Sequence, residues 1–264
     1  MNIKLKILLL SVLISLSSVV SAQLQTVSSN LSLEHLYAGK TTDLTVSYRA
    51  TDSALLTGLG LRLHFDSSAL QIGDVENLLL AKSQGSFLKD DTSNLDNDTS
   101  TDKYFLAVWA DTTGDGWPYD ETQPVILYTV PFTAISGFNG STLNFTASST
   151  ATGYTLESDD ITILLDVLPP IISLIGGDIY SVVGASYVDA GATAVDNVDG
   201  DISQNIVITS NVDINILGSY SVKYNVIDGN GNAAAEVIRN ITITDADIDD
   251  DGIADVNDNC VKEA

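Results

Sequence analysis

The sequence predicts an all-β chain: two antiparallel β-sandwich domains followed by a short calcium-binding loop tail. Three observations carry this reading. Apolar and polar residues alternate with period two over many short stretches separated by Gly, Asn and Asp, the pattern of half-buried strands. Pro169 and Pro170 interrupt that pattern, and paired prolines end strands and stiffen linkers. Candidate oxygen ligands then recur at every second or third position through Asp245–Cys260. The expected organisation is a leader at 1–22, a first sandwich at 23–167, a second at 168–244 and an acidic tail at 245–264.

Lys4 and Lys6 precede an apolar run, Ile7–Ile14, and Val20-Ser21-Ala22 forms a small-residue cleavage site. This is the layout of a signal peptide, with cleavage expected before Gln23. The run is too short to span a bilayer, and no later stretch reads as transmembrane. The expected location is therefore outside the cell, secreted or on the surface of a bacterium, with no membrane insertion after cleavage. The formal net charge of −24 repels nucleic acid and anionic membranes and favours divalent cations. The single cysteine, Cys260, excludes an internal disulfide. It is free, pairs with another molecule, or pairs with sequence beyond this chain.

In the first sandwich, Leu44, Val46 and Tyr48 alternate with polar neighbours, as do Leu59, Leu61, Leu63 and Phe65. Tyr104–Ala110, Val125–Phe132, Ser141–Ser148 and Ile161–Leu165 supply further strands. The one helical candidate is a turn near Val75–Ala81. Ser83–Asp102 is polar and acidic and reads as a long exposed loop. Asp111, Asp115, Asp120 and Glu121 form a candidate second metal site, with ordinary turn chemistry as the competing explanation. Trp117 and Tyr119 beside them are candidate ligand-stacking residues for a sugar, whereas Trp109 reads as core.

The phrase Leu63-His64-Phe65-Asp66-Ser67-Ser68-Ala69-Leu70 resembles the strand end of the cohesin-like sandwich, and Val125–Phe132 is similar to that family's penultimate core strand. The resemblance spans most of Leu31–Leu165. It implies a binding fold, since cohesins bind dockerins and related sandwiches bind carbohydrate.

The second sandwich begins after Pro170. Ile171–Ile175 is a strand, Ile206–Thr209 and Asn211–Ile214 are strand pieces, and Val237–Thr244 is the final strand. Gly218-x-Tyr220-x-Val222-x-Tyr224-x-Val226 places Tyr and Val inward, and Asp228–Asn232 is a hairpin turn. With Tyr187-x-Asp189-x-Gly191-Ala192-x-Ala194-x-Asp196-Asn197-x-Asp199-Gly200-Asp201 and Asp228-x-x-Gly231-Asn232-x-Ala234, this segment resembles the bacterial Ig-like module named after pesticidal crystal proteins. The resemblance implies a seven-stranded spacer or adhesion module without catalysis. Asp196, Asp199 and Asp201 are read either as an ion site or as a capped acidic turn.

In the tail, Asp247, Asp249, Asp251, Asp255 and Asp258 fall at loop positions suited to encircling an ion, with Gly252 at the sharp turn. Ile253 follows, where a backbone carbonyl can serve as ligand. A calcium ion takes six to eight oxygens at about 2.3–2.6 Å, and a short loop supplies them only by coiling around it. The competing reading is a solvated acidic tail. The stretch closely resembles a thrombospondin type 3 repeat, completed by Asp258-Asn259-Cys260. That resemblance implies Ca2+ held by aspartates and a Cys paired with a neighbouring repeat.

Catalysis finds no support. His35 and His64 have no partner at metal-ligand spacing, no nucleophile elbow is present, and both histidines read as surface residues. The expected function is a non-catalytic structural and adhesive one, with binding of a polysaccharide, a dockerin-type partner or another surface protein as the alternative.

Overall fold

The computed structural model describes residues 23–51, 57–79, 83–111, 114, 116–118 and 123–245. Before the paired prolines the strands are β1 (Leu24–Leu31), β2 (His35–Leu36), β3 (Thr41–Ala50), β4 (Gly58–Phe65), β5 (Leu70–Ile72), β6 (Ser83–Asp90), β7 (Lys103–Ala110), β8 (Val125–Ala134), β9 (Ser141–Ser149), β10 (Thr155–Ser158) and β11 (Ile161–Leu165). They form a five-stranded sheet, β10-β1-β3-β8-β5, and a six-stranded sheet, β2-β11-β9-β4-β7-β6.

The period-two pattern sets which side chains meet between these sheets. In β3, Leu44, Val46 and Tyr48 are fully buried. In β4, Leu59, Leu61, Leu63 and Phe65 face the same core from the other sheet. Aromatic pairs lock the layers: Phe65 meets Phe132 of β8 edge-on at 5.4 Å, and Phe105 of β7 meets Tyr128 of β8 at 5.4 Å. Such pairs contribute about 0.5–1.5 kcal/mol each beyond area burial. The register of β4 on β7 runs from Gly58 opposite Ala110 to Phe65 opposite Lys103. A slip of one residue would send His64 into the apolar core and Leu63 out of it.

After the prolines come β12 (Ile171–Leu174), β13 (Ile179–Val182), β14 (Ala192–Asp196), β15 (Gly200–Asp201), β16 (Val207–Ser210), β17 (Gly218–Asn225) and β18 (Val237–Thr244). The sheets are β12-β14-β15 and β13-β18-β17-β16. Ile172, Ala194, Ile202, Val222, Tyr224, Val226, Ile241 and Ile243 fill a second core that shares no residue with the first. The fold is therefore all-β, in two sandwiches.

Several details depart from the sequence reading. The sandwiches are not wholly antiparallel: β1–β10, β2–β11 and β13–β18 pair in parallel. Each of these pairs joins strands far apart in the chain, so no hairpin fixes their direction. Ser83–Asp90 is not loop but edge strand β6, hydrogen-bonded to β7. Its polar composition suits an edge, where charge discourages further pairing. Residues 75–79 form no helical turn, and Glu76 bridges to Thr129. Asn211–Ile214 is not a strand. Among the described residues, no helix is long and apolar enough to cross a membrane.

Candidate functional site

The candidate tail ligands Asp247, Asp249, Asp251, Ile253, Asp255 and Asp258, and Cys260, lie outside the described residues, as do Asp115, Tyr119, Asp120 and Glu121. Asp111 is described, and its carboxylate accepts the Gly114 and Gly116 N–H groups at 3.0 and 2.7 Å. That is turn capping. Trp117 is not a stacking platform. It is 1 % exposed, with its ring against Trp109 at 5.8 Å and Tyr48 at 4.6 Å. Trp109 is core, as expected.

His64 is also corrected. It is fully buried, because the chain between β6 and β7 folds over the outer face of β4. Its Nδ1 lies 2.9 Å from Asp91 Oδ2 and 3.7 Å from Asp96 Oδ2, and its Nε2 lies 2.8 Å from Thr146 Oγ1. The Asp91 approach is close in distance but does not align as a hydrogen bond. Asp96 is held in turn by the Thr101 hydroxyl at 2.7 Å and the Asn144 amide at 3.1 Å. Each group in this cluster has a counterpart on the chain, so the cluster ties the 91–102 loop to the sheet.

Burial pushes the His64 pKa below its ordinary 6.5, and the two aspartates only partly oppose this. The unfolded chain then binds the proton first as pH falls, so ∂ΔG/∂pH is positive in that interval. The stability contribution is complete above 6.5 and is lost as pH falls from there toward the folded pKa. Chemical denaturation at stepped pH should show a fall below pH 6.5 that is diminished in His64→Gln. Equal slopes in the two proteins would contradict the assignment.

The second polar cluster sits where the sandwiches meet. The β2–β3 turn reaches across: the Tyr37 hydroxyl donates to Asp199 Oδ1 at 2.6 Å, and Lys40 Nζ lies 2.6 Å from the same oxygen. The Gly229 N–H donates to Asp199 Oδ2 at 2.7 Å. A Cβ on Gly229 would overlap the Tyr37 hydroxyl, so the close approach requires glycine. The Asn230 amide donates to the Asp166 carbonyl at 2.6 Å. Burial pushes the Asp199 carboxyl up, but Lys40, Tyr37 and the Gly229 N–H outweigh it and hold it below the usual value.

Behind this contact, Asp166, Asp196 and Asp228 converge, with one carboxylate oxygen of each within 4.8 Å of the other two. Asp166 ends the first sandwich, Asp196 ends β14, and Asp228 opens the turn before β18. Burial pushes the Asp166 carboxyl up. The Leu168 N–H and the Asn197 amide oppose this, and Asp196 and Asp228 add to it. The expectation for Asp196, Asp199 and Asp201 is thus split. Asp196 and Asp201 cap turns, accepting from the Val198 N–H at 2.8 Å and the Ser203 N–H at 3.0 Å, and Asp199 pairs with Lys40. The three do not share one site; only Asp196 reaches the convergent cluster. Sequence reasoning missed Asp166, whose place beside Pro169 and Pro170 reads as linker.

Comparison with known proteins matches residues 174–243 to the family described as bacterial surface protein, Ig-like domain. No curated protein matches the sequence significantly. Among solved structures, a lipoprotein from Bacteroides thetaiotaomicron is 26% identical with a TM-score of 0.26, covering 29% of this chain and 38% of its own. A type I cohesin–dockerin complex from Clostridium thermocellum is 14% identical, with a TM-score of 0.39 and coverage of 53% and 91%. A type II cohesin domain from the Acetivibrio cellulolyticus cellulosome is 10% identical, with a TM-score of 0.37 and coverage of 53% and 95%.

Proposed function

We propose that the chain is a non-catalytic bacterial surface or secreted protein, whose sandwiches act as rigid structural and adhesive modules and whose tail aspartates hold calcium. The match of residues 174–243 to bacterial surface Ig-like domains is the observation that carries the reading. The net charge of −24 supports it, since a strongly acidic exported surface attracts divalent cations. The finer likenesses, to the module of pesticidal crystal proteins and to a thrombospondin type 3 repeat, rest on the sequence phrases quoted above. The domain limits at 167/168 and 244/245 belong to the same proposal. Expression with the native leader tests the compartment. The chain should be recovered outside the cytoplasm with Gln23 at its N-terminus; cytoplasmic retention with the leader intact would contradict it.

A second reading, capture of another surface protein by the first sandwich, is favoured by one feature. Phe87 and Leu88 on edge strand β6 are 52% and 53% exposed. Leu88 borders a cavity of about 400 Å3 lined also by Phe65, Leu70, Ile72 and Ile135. Exposed apolar patches of this kind mark interaction sites. With Trp117 in the core, a protein partner suits the surface better than a polysaccharide. Pull-down from extracellular protein should lose its bound partner with Leu88→Asp; an unchanged bound fraction would rule out this surface.

A further inference from the structure

We propose that Asp166, Asp196 and Asp228 form a calcium-type cation site that clamps the two sandwiches together. The three residues are 0 %, 5 % and 8 % exposed. Each spends one carboxylate oxygen on its own turn. Asp166 Oδ1 accepts the Leu168 N–H at 3.3 Å. Asp196 Oδ1 accepts the Val198 and Asp199 N–H groups, both at 2.8 Å. Asp228 Oδ1 accepts the Asn230, Gly231 and Asn232 N–H groups at 2.9, 2.7 and 2.8 Å. The Oδ2 atoms of Asp166 and Asp196 are buried and accept no hydrogen bond. Asp228 Oδ2 accepts only the Asn232 amide, at 2.8 Å.

Buried oxygens without partners are costly, and buried carboxylates without a counter-charge more so. Elsewhere the chain supplies the cation itself: Lys40 for Asp199 and Arg239 for Asp189. Among the described residues, none of Asp166, Asp196 and Asp228 takes part in an ion pair. Neutralisation falls either to a proton on Asp166 or to a cation from solution, and three converging carboxylate oxygens suit the cation.

The geometry suits a calcium ion. With metal–oxygen distances of about 2.4 Å, two ligands on one ion are at most about 4.8 Å apart, and one carboxylate oxygen from each of the three residues meets that limit. The donor set is all oxygen, which selects hard cations rather than the nitrogen- and sulfur-seeking zinc. Water and the remaining carboxylate oxygens would complete the shell. Because Asp166 belongs to the first sandwich and Asp196 and Asp228 to the second, the ion would join the two bodies beside the contact made by Tyr37, Lys40 and Asp199. This site is independent of the tail loop.

The test uses the chain from Gln23 carrying Asp249→Ala/Asp251→Ala, so that the tail is silent. Calcium chloride is titrated by calorimetry, and thermal unfolding is followed with calcium and with chelator. The expected result is one saturable class of site and a melting temperature raised by calcium. Adding Asp166→Asn/Asp196→Asn should abolish both, while leaving a chelator melting temperature at or above the parent's, because the repulsion is relieved. If the combined variant fails to fold, Asp196→Asn alone decides the matter, since an amide oxygen still caps its turn. Absence of calcium uptake by the parent, or uptake unchanged by the Asn substitutions, would overturn the site. Failure of the tail reading is distinguishable: it would appear as equal uptake by the native chain and the tail variant.

Discussion

Replacing Arg239 by Ala is expected to destabilise the C-terminal sandwich by about 3–5 kcal/mol, the cost of breaking a buried pair from one side. Arg239 is 1 % exposed, a charged side chain buried in the C-terminal sandwich. Its guanidinium donates to Asp189 Oδ1 and to the carbonyls of Ile175 and Gly191, the latter two at 2.6 and 2.9 Å. Asp189 also accepts the Tyr224 hydroxyl at 2.7 Å and the Tyr187 hydroxyl at 3.0 Å. Truncation would remove the charge paired with Asp189, which would keep its tyrosine donors, and would leave the Ile175 carbonyl without the guanidinium, while the Gly191 carbonyl would keep the Ile175 N–H. The Asp189 side chain keeps 21% exposure, so water relieves part of the loss and the lower end of the range applies. The paired change Asp189→Asn/Arg239→Met should recover a large part of the stability, because no buried charge remains. Denaturant unfolding followed by circular dichroism reads both. A loss below about 1 kcal/mol for Arg239→Ala would mean that the network is ornamental.

Phe132→Ala is expected to cost a similar amount, about 3–5 kcal/mol, in the other sandwich. Phe132 is fully buried near the C-terminal end of β8, with its ring edge-on to Phe65 of the opposite sheet. Its removal opens a cavity between layers whose strands are held by hydrogen bonds and cannot collapse freely. The two substitutions can be told apart by probe. Both tryptophans of the chain, Trp109 and Trp117, lie in the first core. Phe132→Ala should therefore shift the tryptophan fluorescence transition. Arg239→Ala should shift the circular dichroism transition and leave fluorescence nearly unmoved. Joint movement of both signals in both variants would show that the sandwiches unfold as one unit.

The strands were legible because alternation is a local signal: Leu44, Val46 and Tyr48, or Val222 and Tyr224, reveal their face within a few residues. Edge strand β6 was not, because an edge needs no apolar stripe, and Lys89 and Asp90 make it look like loop. Trp117 was misread for the opposite reason. It follows Asp111 and Gly114 in a stretch with the composition of a surface turn, and only the tertiary fold brings its ring against Trp109 and Tyr48. His64 sits at a polar position of an alternating strand, which places it outside the core. Nothing local says that Asp91 and Asp96 will close over it. The junction was hidden entirely. Asp166, Asp196 and Asp228 come from three distant segments, and in a chain with 35 acidic residues no spacing rule selects those three.

Calcium uptake is the property that both proposed aspartate sites share. Two sets of aspartates, one in the tail and one at the junction, are assigned to an ion that the exported chain would meet in solution. Calorimetric titration of the chain from Gln23, beside Asp249→Ala/Asp251→Ala, tests this most directly. Saturable binding by the native chain is expected at or below millimolar calcium, with one class of site lost in the variant and the junction class kept. No measurable uptake by the native chain at millimolar calcium would contradict it.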